Sequence, residues 1–178
     1  MRTPAIWMVA VAGAAAAVTG VVAARSPAAP EPPAAIALRE GDPLPALELA
    51  DGVGRTVRLR DVVAGHAAAV TVMHPACEHC HRQIANLAAA LAAGGGERPV
   101  QVLISIGDSA AMLAGLPTPA TFMLLRDRAH VLASRYALRG VPVTLLVDRR
   151  GVVRYVHLGV MDDDALRTAL RRIVPQRA

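Results

Sequence analysis

Two cysteines three positions apart, in Cys77-Glu78-His79-Cys80, constrain this chain more than any other feature. An apolar run from Ala67 to Met73 precedes them, and Ile84, Leu87, Ala88 and Leu91 recur at helical spacing after them. The order is therefore a buried strand, a loop bearing the pair, and an amphipathic helix. That order suits thiol–disulfide exchange. One thiolate is needed at a helix N-terminus, where unpaired N–H groups and the helix dipole stabilise negative charge, and a second thiol one turn on resolves the mixed disulfide. Cys77 takes the first role and Cys80 the second. His79, between them at the helix start, would lower the Cys77 pKa by its charge when protonated and by hydrogen bonding when neutral.

The same residues admit other chemistry. Cys77-Glu78-His79-Cys80-His81 also spells the CxxCH pattern of c-type haem attachment. His74, His79 and His81 crowd the thiols, and sulfur with imidazole suits zinc or copper, so a metal-binding or assembly-chaperone module stands beside the redox reading. A purely structural disulfide is a poorer account, because so short a loop removes little entropy from the unfolded chain.

A chain of 178 residues has room for one domain and an appendage. Hydrophobic residues make up 54% of it and aromatics 2%, so the core must be built from Ala, Val, Leu and Ile, with Phe122, Tyr136 and Tyr155 as its few large anchors. Thr3 to Ala24 is an uncharged stretch of about 22 residues behind Arg2, long enough to cross a bilayer. Residues 1–25 thus read as a membrane anchor or export signal. Val22-Ala23-Ala24 would suit a signal peptidase, yet the stretch exceeds the roughly 7 to 15 apolar residues of a cleaved signal, which favours retention in the membrane. Residues 26–35, rich in Pro and Ala, read as an extended spacer, and 36–178 as the folded domain. The domain is expected outside the cytoplasm, anchored to the inner membrane and facing the periplasm, where disulfides persist. The formal charge of +5 comes from scattered arginines without interleaved aromatics, a solvated basic surface and not a nucleic-acid site.

Within the domain, short β-rich runs alternate with helical ones, the pattern of an α/β layered fold. Leu44–Ala50 and Thr56–Leu59 flank the turn Asp51-Gly52-Val53-Gly54 as an N-terminal hairpin, and Ala67–Met73 is a buried strand. The helix after the cysteines stops at Gly94-Gly95-Gly96, and Val100–Ile106 is a second buried strand. A loosely patterned stretch with Pro117 and Pro119 leads to a predicted helix from Arg126 to Leu138. Val143–Val147 and Val152–His157 flank a hairpin turn at Asp148-Arg149-Arg150-Gly151, and Asp162-Asp163-Asp164 opens a last helix with Leu166, Leu170 and Ile173 as its buried stripe.

From Gly41 to Val174 the chain resembles the thioredoxin superfamily, and within it the membrane-anchored, TlpA-like thiol–disulfide oxidoreductases related to the redoxin and AhpC/TSA families. Three features carry the resemblance: the opening Gly41-Asp42-Pro43-Leu44-Pro45, the strand–CxxC–helix order, and Gly140-Val141-Pro142-Val143-Thr144 before a strand that ends at Asp148-Arg149-Arg150-Gly151. The resemblance implies a three-layer fold, a central mixed sheet flanked by helices, with an N-terminal β-hairpin extension. It implies that Pro142 is cis and lies beside the disulfide, where the backbone of the preceding residue pairs with a bound peptide. It implies a reductase of exported disulfide proteins, for example during cytochrome c maturation, fed by a transmembrane electron donor. No cofactor beyond the Cys77–Cys80 couple and no second subunit are expected.

This sequence departs from the family in places. Ala76 stands where the family usually has Trp. Thr71 occupies the strand position where such reductases often bury a carboxylate, and Gln83 the position where some anchored ones carry Glu. Glu78 or a water is left to take the proton from Cys80. Val70 and His74 stand where peroxiredoxins set the residues that activate peroxide, so peroxidase chemistry is not expected. The middle histidine, His79, pulls toward the oxidase direction.

Overall fold

A computed structural model describes residues 37–94, 97–107, 113, 116, 118–136, 138 and 140–174. The anchor or signal read over 1–25 and the spacer over 26–35 lie outside the described residues. The domain is organised by one strand, β3 (Ala68–Met73), all six residues of which are buried. A strand buried on both faces needs apolar residues throughout, and Ala-Ala-Val-Thr-Val-Met supplies them with one exception, Thr71.

Around β3 the sheet runs β2-β1-β5-β4-β3-β6-β7. Strands β4 (Val100–Ser105) and β5 (Phe122–Arg126) extend it in parallel on one side. On the other side β6 (Val143–Val147) and β7 (Val153–Leu158) pair antiparallel, joined by the Asp148–Gly151 turn. The N-terminal hairpin of β1 (Glu48–Ala50) and β2 (Thr56–Arg58) closes the far edge through an Ala50–Arg126 bridge. Asp51 fixes that hairpin's turn: one carboxylate oxygen accepts the N–H groups of Val53 and Arg55, and the other accepts Arg55 Nε at 2.8 Å. The Arg55 side chain in turn holds the Asp51 carboxyl below its ordinary value.

Alternation along the strands divides the core in two. Val70, Val72, Val102, Ile104 and Leu145 face one way, against Leu59 of α1 (Leu59–Val62) and Leu132 of α3 (Val131–Arg135). Ala69, Met73, Leu103 and Leu146 face the other, against Ile84 and Leu87 of α2 (Glu78–Ala93) and Leu166 and Leu170 of α4 (Asp163–Leu170). Each buried leucine contributes about 2 kcal/mol of transfer free energy. The result is the three-layer α/β arrangement, a mixed sheet between two layers of helix. Asp162 caps α4 by accepting the Ala165 N–H at 2.8 Å, and α2 stops where Gly94 donates to the Ala90 carbonyl.

One stretch differs from the sequence reading. The helix expected over Arg126–Leu138 is a single turn and a half, Val131–Arg135, and the residues before it form the strand β5. Asp127 is the physical reason. Its buried carboxylate accepts the N–H groups of Val131 at 3.0 Å and Leu132 at 2.8 Å, so the helix begins at Val131 and not at Arg126. His130, at φ 51°, turns the chain just ahead of it. Of the expected large anchors, Phe122 is buried, while Tyr136 and Tyr155 pack at the margins of the two halves of the core.

Candidate active site

Strand β3 delivers the chain to the C-terminal end of the sheet, and the loop His74-Pro75-Ala76 turns it into α2. Cys77 is the N-cap of that helix. Its Sγ accepts the N–H of Cys80 at 3.2 Å, and a disulfide joins the two residues. The two sulfurs sit in unequal surroundings. Cys77 is half-buried, whereas Cys80 is fully buried among Ala69, Met73 and Ile84. A partner can reach only the first, which suits attack by Cys77 and resolution by Cys80.

Across from Cys77, the Val141–Pro142 peptide is cis. Val141 O lies 3.9 Å from Cys77 Sγ, and Pro142 O accepts the Gly159 N–H at 2.8 Å, tying the proline to the end of β7. Leu158, next to Gly159 at that strand end, is exposed. The sequence reading of Pro142, cis and beside the disulfide, agrees with this geometry.

The histidines divide by role. His74 and His81 brace the loop: His74 Nδ1 accepts the Ala76 N–H at 3.1 Å, and His81 donates from Nε2 to the Pro75 carbonyl at 2.8 Å, which assigns the proton to that nitrogen. His79 is exposed, with Arg82 Nη2 3.4 Å from its Nδ1. Glu78 is also turned to solvent, its side chain 91% exposed and 3.9 Å from Arg82, whereas Cys80 is enclosed. Glu78, the side chain expected to take the Cys80 proton, therefore stands outside the apolar surroundings that hold the resolving thiol. Among the described residues, no three His, Cys, Asp or Glu side chains converge as a metal site.

Beneath Cys80 lies a polar cluster whose connections the sequence did not reveal. Gln83, fully buried, donates from Nε2 to Thr144 Oγ1 at 3.1 Å and accepts the Met161 N–H at 2.7 Å. Thr144 is the cross-strand partner of Thr71, which is also fully buried. The available signal was a glutamine on the otherwise apolar face of α2, one turn after Cys80. The Val141 carbonyl facing Cys77 was legible only through the resemblance that places Pro142 beside the disulfide.

The family model described as AhpC/TSA matches residues 41–156, more than half of the chain. The chain belongs to the AhpC/TSA family. Comparison with curated proteins gives no match. Solved structures show the same thioredoxin-like fold. A thiol:disulfide interchange protein described as DsbE from Chlorobium tepidum superposes with a TM-score of 0.64 at 23% identity, covering 75% of this chain and 96% of its own. One from Bacteroides sp. gives 0.62 at 20% identity, covering 78% and 92%. A secreted Mycobacterium tuberculosis disulfide oxidoreductase, homologous to E. coli DsbE, gives 0.58 at 16% identity, covering 72% and 96%. Within the AhpC/TSA family, this chain is an oxidoreductase, and Cys77 and Cys80 are joined as a disulfide.

Proposed function

We propose that the protein is a membrane-anchored, extracytoplasmic thiol–disulfide oxidoreductase that reduces disulfides of exported proteins, such as those handled during cytochrome c maturation. One observation carries the reading: an accessible Cys77 and an enclosed Cys80 share a disulfide at a helix N-terminus, opposite the carbonyl that precedes a cis proline. In the reduced protein, the Cys77 thiolate attacks one sulfur of the partner's disulfide and expels the other as a thiolate, giving a mixed disulfide. Cys80, having passed its proton to a water, then attacks Cys77 Sγ and releases the partner, whose two thiolates take protons from solvent to leave it as a dithiol. Two electrons have passed to the partner, and the Cys77–Cys80 disulfide is the product. A dithiol electron donor spanning the membrane restores the pair by the same exchange in reverse. His79 at the first turn stabilises the Cys77 thiolate, and cis Pro142 sets the Val141 backbone to pair with the partner's backbone beside the site.

The uncharged stretch Thr3–Ala24 supports the anchor, and the secreted M. tuberculosis relative is in keeping with an extracytoplasmic setting. The reduction potential of the couple tests the direction. A value near thioredoxin's, about −270 mV, supports reduction of partners, and one near that of a strong periplasmic oxidant, about −120 mV, reverses the assignment. Cys80→Ser should accumulate a mixed disulfide through Cys77. Retention of exchange activity by Cys77→Ser would overturn the roles of the two cysteines, and haem absorbance in place of a reversible couple would overturn the redox reading.

A further inference from the structure

A groove of about 720 Å3 opens between β1, the start of α1 and the segment that joins β5 to α3, and none of the CxxC loop lines it. Arg58, Arg60, Arg126, Arg128 and Arg135 surround it. Among the described residues, only Glu48 and Asp61 oppose them in its walls. Glu48 lies 3.5 Å from Arg58, which leaves four guanidinium groups facing one carboxylate. Arg60 spends one N–H on the Leu44 carbonyl and keeps its charge. Arg126 Nε is buried and unpaired, and Arg128 makes no hydrogen bond or ion pair among the described residues. A buried guanidinium donor without an acceptor is costly, and the cost is relieved when an anionic oxygen arrives.

The position is informative. Met73, Ser105 and Arg126 are register partners across β3, β4 and β5, so Arg126 ends its strand about 10 Å, two strand spacings, from the end of β3 that leads to Cys77. The groove and the disulfide share the C-terminal edge of the parallel strands, where α/β sheets bind ligands. We infer that this groove docks an acidic segment of the polypeptide whose disulfide is exchanged at Cys77. The inference rests on the redox reading above and adds the chemistry of the partner: Asp or Glu side chains flanking the reactive cysteine by several residues. Arginine forks suit carboxylates bidentately. A concave groove is a poor match for the flat face of a bilayer, and among the described residues its walls carry no aromatic ring for nucleic-acid stacking.

The test uses the full chain and two probes, labelled hexaglutamate and hexaglutamine peptides. Hexaglutamate should bind, hexaglutamine should not, and the double variant Arg126→Gln/Arg128→Gln should weaken hexaglutamate about 10-fold or more at low salt. Arg128→Gln with Arg135→Gln gives a second variant that leaves buried Arg126 Nε untouched. Arg150→Gln, in the turn at the opposite end of the sheet, should change nothing. A cyclic disulfide peptide bearing three glutamates should then be reduced with kcat/KM about 10-fold above its unflanked counterpart, the ratio falling to near one in the groove variants. Equal hexaglutamate affinity in wild type and both groove variants would overturn the inference. So would groove variants that weaken binding to phosphatidylglycerol vesicles but not to the peptide. If neither disulfide peptide is turned over, the redox reading fails while peptide binding still decides the groove.

Discussion

Gln83 is a neutral side chain in a fully buried position, and both ends of its amide are used. Nε2 donates to Thr144 Oγ1, and Oε1 takes the Met161 N–H at 2.7 Å, so one residue links α2, β6 and the segment leading to α4. Gln83→Ala strands the Met161 N–H and opens a cavity; the expected loss is about 2–4 kcal/mol, read as a fall in the urea midpoint at unchanged m. A loss below about 1 kcal/mol would mean that the link is not stabilising. Its neighbour Thr71 behaves oppositely. Thr71 Oγ1 is buried with no partner, so the hydroxyl is desolvated without return. Thr71→Val, which keeps the shape and removes the polar atom, should leave stability unchanged or raise it by about 1 kcal/mol. Clear destabilisation in the same urea assay would show that the hydroxyl has an acceptor in solution.

At the scale of single elements, two aspartates set local geometry in ways that the residue patterns revealed unequally. Asp148 sits in the β6–β7 turn, where Asp-x-x-Gly at a hairpin was readable directly. Its Oδ1 accepts the Arg150 and Val152 N–H groups at 2.9 and 3.0 Å, and Oδ2 accepts Arg154 Nε at 2.7 Å. Burial alone would raise its pKa, but these backbone bonds and the Arg154 side chain outweigh it, and the net shift is downward from 3.8. A depressed carboxylate stabilises the fold above its unfolded pKa and loses that contribution as pH falls through the lower folded value. Asp148→Asn should therefore cost about 1–2 kcal/mol at pH 7 and less at pH 2.5, measured by urea unfolding at both. An undiminished difference at pH 2.5 would sink the linkage. Asp127 was less legible. Its neighbours carry apolar residues at helical spacing, and nothing in that pattern shows that the carboxylate is buried and captures the N–H groups of Val131 and Leu132. Five apolar or long residues after two prolines make a short strand hard to see, and β5 was hidden for that reason.

For the whole molecule, the site is assembled from chain ends that are far apart in sequence, and this limits what spacing can reveal. Strand, CxxC and helix are contiguous, so Cys77 and Cys80 were legible; Pro142 was legible only through the resemblance, because 64 residues separate Cys77 from the Val141 carbonyl it faces. The third contributor is the chain just after β4. A Cβ added to Gly107 would lie 2.8 Å from Pro75 Cδ and 3.1 Å from His74 Nε2. Both neighbours belong to the loop that presents Cys77. Pro75 is a rigid ring, and His74 is tied to the Ala76 N–H, so neither can yield without moving the loop. Gly107→Ala should accordingly cost about 1–3 kcal/mol and displace the turn that leads into α2. Because the disturbance is aimed at the Cys77 side of the fold, disulfide exchange should slow under conditions where the variant is still fully folded by circular dichroism. Unchanged exchange in a folded variant would show that β4 does not help to hold the Cys77 loop, leaving the placement of the nucleophile to α2 and the cis proline alone.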